Sequence, residues 1–222
     1  MSGRLTYLFL WFITLAVIAG SCNKAKKNRI YIEGKIYDPN TMAYVAGADV
    51  TIAATKLSSG GIFSSGFADI ASSTSNENGL FVFDFKEEKV GSYQLRVSKD
   101  QYFGIIKEVS TSEIEAGVTF SPTYNLYPIG YINLKIRNFT PYDSNDFVAY
   151  NFSSGWLNSY ECCNNSVVQG HGPYYADTVS CKTYGNQNVT LTYSVTKGGH
   201  TTQYSKTLFC VAFDTTFFNI DY

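Results

Sequence analysis

Apolar residues recur at every second position over short stretches of this chain. In residues 29–38, Ile30, Ile32 and Ile36 share one parity, and Tyr31, Glu33, Lys35 and Tyr37 share the other. That is the spacing of a strand buried on one face. Val50 and Ile52 repeat it within 48–54, Phe81, Phe83 and Phe85 within 80–85, and Tyr93, Leu95 and Val97 within 91–97. Farther along, Ile132, Leu134 and Ile136 alternate with Asn133, Lys135 and Arg137. The cleanest run is 188–196, where Val189, Leu191, Tyr193 and Val195 oppose Thr190, Thr192, Ser194 and Thr196, a core face against a solvent face. Turn chemistry separates these runs at Asp38-Pro39-Asn40, Asn76-Glu77-Asn78-Gly79 and Lys197-Gly198-Gly199-His200. The last predicts a hairpin that returns through 202–213. The pattern predicts an all-β protein of two consecutive antiparallel β-sandwiches over residues 30–110 and 119–222. Residues 110–118 link them as a turn of helix or a short crossover.

Composition agrees. Charged residues are 16% and aromatics 16%, a balance that argues against disorder and against a long-helix protein. A formal net charge of −1 provides no basic footprint, so no nucleic-acid partner is expected.

The N-terminus carries an address. Arg4 and the α-amino group precede an apolar run, LTYLFLWFITLAVIA, of 15 residues. That is short of the roughly 20 needed to span a bilayer, and residues 1–21 read as a signal peptide. Ala19-Gly20-Ser21-Cys22 resembles a bacterial lipobox, with Ala19 where Leu is usual. The resemblance implies lipidation of Cys22 and a mature chain of 222 − 21 = 201 residues. Cysteine arithmetic points the same way. Five cysteines leave one odd thiol, and lipid on Cys22 leaves an even set of Cys162, Cys163, Cys181 and Cys210. Two or more acyl chains would hold stably to the membrane. Residues 22–29 form the lipidated tether. It is basic, with Lys24, Lys26 and Lys27, whereas surface-exported lipoproteins of some Gram-negative bacteria carry an acidic run here. The expected location is therefore the outer membrane, lipid-anchored on its periplasmic face.

The first sandwich resembles the carboxypeptidase regulatory-like domain, a transthyretin-like fold of seven strands. The residues that carry the resemblance are Gly34 to Asp38, Ala46 to Ile52, Asn78 to Phe83, Gly91 to Leu95 and Tyr102. It covers about 80 residues and implies a non-catalytic module. A ureide hydrolase of the transthyretin-like group needs several histidines and a Tyr-Arg-Gly-Ser ending, and neither is present. Between Thr55 and Thr74 the chain departs from the family with a Ser/Gly-rich insertion that contains Ile62, Phe63 and Phe67. These apolar residues either dock a partner or fold back as a lid.

In the second sandwich the four cysteines allow three connectivities. A vicinal 162–163 bond would crosslink nothing distant, and either alternative ties the 160s segment to both Cys181 and Cys210. No CxxC or HxxxH spacing points to zinc, and no metal or other cofactor is expected. Trp156, Tyr160, Tyr174 and Tyr175 lie in polar, glycine-rich segments. They either contact a glycan or protein partner or cap the core. Asp143, Asn145 and Asp146 offer oxygen ligands but lack EF-hand spacing. His171 and His200 have no accompanying nucleophile or carboxylate at a recognisable spacing, so no catalytic residue is expected. The functional expectation is a non-catalytic accessory or scaffolding subunit of an outer-membrane assembly with an envelope protein as partner. The alternative is a glycan-binding or adhesive surface lipoprotein.

Overall fold

The computed structural model describes residues 28–57, 61, 63–154 and 161–222. Among them there is no helix, and 16 strands are arranged in four sheets. The fold class read from the alternation is therefore the observed one, all-β with sheets whose neighbours are largely antiparallel. The chain divides into two compact units. The first takes in residues up to Tyr37, then Tyr44–Ser98 and Gly104–Tyr124, and the second takes in Asp38–Ala43, Lys99–Phe103 and Asn125–Tyr222.

The first unit is built from β1 (Arg29–Asp38), β2 (Ala43–Tyr44), β3 (Asp49–Leu57), β4 (Phe63–Thr74), β5 (Leu80–Lys86), β6 (Val90–Ser98), β7 (Ile105–Val109), β8 (Thr119–Phe120) and β9 (Thr123–Asn125). One sheet runs β2-β1-β5 with β8 and β9 also paired to β1, and the other runs β4-β3-β6-β7. The inward parity is the one read from sequence: Ile30, Ile32, Ile36, Val50, Ile52, Phe81, Phe83, Leu95 and Val97 are all buried. Alternation works here because each strand has one wet face. The Asn76–Gly79 turn closes on its own side chain. Asn76 Oδ1 accepts from Asn78 N and Leu80 N, and Gly79 adopts φ +67°. A Cβ at Gly79 would also lie 2.4 Å from Ile36 O.

Two features differ from the sequence reading. The 55–74 insertion is not a free loop, since Phe63–Thr74 forms β4 and pairs antiparallel with β3, with register shifts at Ile52/Ala53 and Thr55/Leu57. Ser, Gly and Ala have weak intrinsic strand preference, and pairing along β3 overrides it. Residues 119–125, read as the opening of the second sandwich, instead supply β8 and β9 to β1, with Tyr31 and Ile32 facing Thr119 and Phe120 in parallel register. Such short strands have no alternation from which their sheet could be read. The 110–118 linker is a series of turns, with Ile114 buried and Glu113 N bonded to Ser110 O.

One buried side chain fastens the start of β3. Ser75 Oγ accepts from Ala48 N and donates to Val45 O, both at 2.8 Å. Ser75→Ala would leave that buried donor and acceptor unpaired. It is expected to lower the unfolding free energy by about 2 kcal/mol, read as a lower urea midpoint with unchanged m-value.

The second unit contains β10 (Ile129–Arg137), β11 (Phe147–Ser154), β12 (Val168–His171), β13 (Ala176–Tyr184), β14 (Gln187–Lys197), β15 (His200–Cys210) and β16 (Thr215–Asp221). Its sheets run β13-β10-β16 and β12-β11-β14-β15, and β16 joins β10 in parallel. The core between them draws Ile132, Leu134, Ile136, Phe218 and Ile220 from one sheet and Val148, Phe152, Val189, Leu191 and Val195 from the other. Lys197 pairs with His200 across Gly198 and Gly199, whose φ values are 54° and 77°. Positive φ at both central residues is the two-residue hairpin turn that matches strand twist.

Candidate functional site

The hairpin of β14 and β15 carries a long exposed stretch of the second unit, residues 200–207. Alternation sends Thr190, Thr192, Ser194 and Thr196 of β14 to the solvent face, opposite Thr207, Ser205, Gln203 and Thr201 of β15. Thr190 bonds Thr207 at 2.8 Å and Thr196 bonds Thr201 at 2.7 Å. In β11, Asn151 and Ser153 continue this face opposite Thr192 and Thr190. These hydroxyl and amide positions include no charged side chain. Among the described residues β15 pairs only with β14, so it forms the edge of its sheet, with residues 200–207 all exposed. Edge strands are ordinarily blunted by charge, proline or a bulge. Here the ladder runs from Gln187↔Cys210 to Lys197↔His200 without a register shift, and Lys206 is the strand's one lysine.

A second feature lies where the 161–168 segment crosses from one sheet to the other. A cavity of about 290 Å³ there is lined by Tyr150, Phe152, Val168, Val179, Glu161 and the Cys162–Cys181 disulfide. That disulfide has a Cα–Cα distance of 5.6 Å, and Glu161 Oε2 accepts from Lys182 N beside it. Of the connectivities open from sequence, this bond selects the one that pairs Cys162 with Cys181. Cys163 and Cys210 stand as thiols in this structure and are fully buried. Burial pushes both thiols above their ordinary pKa.

The aromatic candidates do not gather. Tyr174 is 90% exposed. Its neighbour Tyr175 turns inward, since a Cβ on Gly170 would lie 2.3 Å from its ring. Residues 172–175 form a turn, with Tyr175 N bonded to Gly172 O, and one ring is exposed while the other is partly buried against the core, so the pair does not form one platform. Burial, then the charge of Asp177, raises the Tyr175 pKa. Phe67 sits half-buried on β4 opposite Thr55. Cys22, Ile62, Trp156 and Tyr160 lie outside the described residues, as does the Phe63 side chain.

The acidic candidates form a structural latch, which the sequence reading missed. Asp143 Oδ1 accepts from Asn145 N at 2.7 Å, an Asx turn. Asp146, 1% exposed, accepts from Asn138 Nδ2 at 2.7 Å, Tyr142 N at 2.8 Å and Asp143 N at 3.3 Å. Lys197 Nζ bonds Asn138 Oδ1, Thr140 O and Thr140 Oγ1 and sits 5.1 Å from the centre of the Tyr222 ring. These carboxylate oxygens are occupied by backbone and amide donors. Among the described residues no three His, Cys, Asp or Glu side chains are grouped to hold a metal. His171 packs against Phe147 with ring centres 4.8 Å apart, and His200 begins β15.

No protein family and no curated protein matches the chain. Solved structures with some likeness include the Bacillus anthracis TIE protein, at 12% identity and TM-score 0.37 over 87% of this chain and 34% of that one. A streptococcal ancillary pilin follows at 14% and 0.34, over 86% and 62%. The shaft pilin SpaA of Lactobacillus rhamnosus GG stands at 8% and 0.30, over 87% and 96%. The chain thus spans about a third of the first and under two thirds of the second. At this level of similarity none of them assigns a family or a role to it.

Proposed function

We propose that this chain is a non-catalytic envelope lipoprotein, held by lipid on Cys22 at the periplasmic face of the outer membrane. It acts as an accessory or scaffolding subunit that binds a partner through its second unit. The first unit serves as the carboxypeptidase regulatory-like module. The observation that carries this reading is β15, an exposed edge strand with little charge to blunt it. Such an edge offers a row of backbone donors and acceptors to an incoming strand. The signal peptide and lipobox resemblance support the envelope address.

The test is purification of the tagged, lipidated protein in mild detergent beside a Gln203→Lys/Ser205→Lys variant. Both positions are exposed on the edge strand, where charge opposes edge pairing and costs little stability. A stoichiometric membrane partner that falls about tenfold in the variant, a loss of roughly 1.4 kcal/mol of binding, is the expected result. A protein that emerges alone, or keeps its partner in the variant, overturns the reading.

A specific observation also favours adhesion to a neutral glycan: the hydroxyl-lined, charge-free face of β14 and β15 with Tyr174 exposed on the same unit. Retention on a neutral polysaccharide matrix that is lost in Thr192→Arg would support it. Passage of the native protein without delay would dismiss it.

A further inference from the structure

The two free thiols occupy one core. Cys163 and Cys210 are each 0% exposed and belong to the same buried cluster of the second unit. Cys163 Sγ lies 3.3 Å from Thr183 Oγ1, and the same Thr183 oxygen accepts from Gln187 Nε2 at 3.3 Å. Gln187 is the direct cross-strand partner of Cys210. Thr183 thus contacts Cys163, and its bonding partner Gln187 is the residue that Cys210 faces across the β14-β15 ladder. Burial raises the Cys210 pKa, a bond with Thr216 lowers it, and the Cys163 thiol of the same cluster adds to the rise. Among the described residues no group of metal-ligating side chains surrounds either thiol, and both are fully buried, an environment that does not activate a free nucleophile.

We propose that Cys163 and Cys210 are joined in the exported protein by a second disulfide, which makes the adjacent pair Cys162-Cys163 a covalent staple through the core. Cys181 belongs to the β13-β10-β16 sheet and Cys210 to the β12-β11-β14-β15 sheet. Bonds from two neighbouring residues to those two strands therefore link the sheets across the sandwich. No force could then separate the sheets at this point without breaking a covalent bond. Formation requires removal of two protons and two electrons from the thiols. The disulfide of a thiol oxidoreductase accepts the electrons by exchange, through a mixed disulfide with one cysteine that the other resolves, and leaves as a dithiol. Burial disfavours the thiolate in the folded core, so the bond forms while the chain is still closing.

This inference rests on the exported address in the proposed function, and one experiment separates the two. Full-length protein is extracted from its own envelope under denaturing conditions with a thiol-alkylating reagent, then digested and mapped by mass spectrometry. The expected result is unalkylated Cys163 and Cys210, a 163–210 linked peptide, and a mass about 4 Da below that of the fully reduced chain. An intact 162–181 bond with Cys163 and Cys210 both alkylated overturns the staple and leaves the exported address standing. All four cysteines alkylated overturns the address and the staple together. A 162–210 linkage overturns the assignment of partners. The protein refolded from denaturant with oxidised glutathione is mapped in parallel, and a 162–181 bond alone in that sample also counts against the staple.

Discussion

Asp146→Ala is expected to destabilise the second unit by about 3 kcal/mol, the cost of leaving several buried donors without their charged acceptor. That corresponds to a fall in Tm of roughly 15 °C for a unit of this size. The side chain gathers Asn138 from the end of β10 and the backbone of Tyr142 and Asp143 ahead of β11. Asn138 in turn holds Lys197 at the end of β14. One carboxylate therefore fixes the chain ends of three strands. Asp146→Asn keeps an oxygen for the two shorter bonds, from Asn138 and Tyr142, and is expected to cost only about 1 kcal/mol. Equal losses in the two variants would mean that the charge, not the bonding pattern, holds the latch.

The same group sets a pH dependence. Burial would raise its pKa, but bonds from Tyr142 N, Asn138 and Asp143 N, with the charge of Lys197, outweigh burial and hold it below the ordinary 3.8. A carboxyl whose folded pKa is depressed contributes fully above its unfolded value, and that contribution is lost as pH falls through the folded one. Unfolding midpoints are therefore expected to hold steady above about pH 5 and to drop below pH 4. Asp146→Asn should flatten the acid limb. An unchanged acid limb in that variant would assign it to other carboxylates.

Much of this architecture is written in the order of residues. Ile30, Ile32 and Ile36, and later Val189, Leu191 and Val195, declare their inward faces by parity alone, because a half-buried strand has only two sides. The glycine pair at 198 and 199 declares its hairpin. What could not be read depends on partners far off in the chain. The strand at Phe63–Thr74 has composition typical of a loop and is a strand only because β3 lies beside it. The two residues of β8 pair with β1 from nearly ninety positions away. The Asp146 cluster read as a turn, and so it is, but Lys197 joins it through Asn138 from the far end of β14. Nothing in the spacing of four cysteines selects 162 with 181.

In the first unit the largest expected effect belongs to Phe81, which fills space that Gly34 leaves open. The two residues face each other across β1 and β5, and a Cβ at Gly34 would lie 2.2 Å from Phe81 Cζ and 2.6 Å from Cε1. The ring is only 1% exposed and packs against Phe83 and Tyr124, with centres 5.8 Å and 6.4 Å away. Phe81→Ala should therefore cost about 3–5 kcal/mol through lost burial and the cavity left behind. Gly34→Ala should cost about 2–3 kcal/mol by overpacking. The ring has little room to retreat, and Pro122 O, fixed by its bond from Lys35 N, stands 3.0 Å from the new methyl. The decisive comparison is Gly34→Ala combined with Phe81→Leu. If the ring is the obstacle, the shorter side chain admits the methyl, and the double variant is more stable than the sum of the single losses by at least about 1 kcal/mol. Additive losses in urea denaturation would place the obstacle at the Pro122 carbonyl instead, so that β1 is confined by the 121–122 segment rather than by its partner on β5.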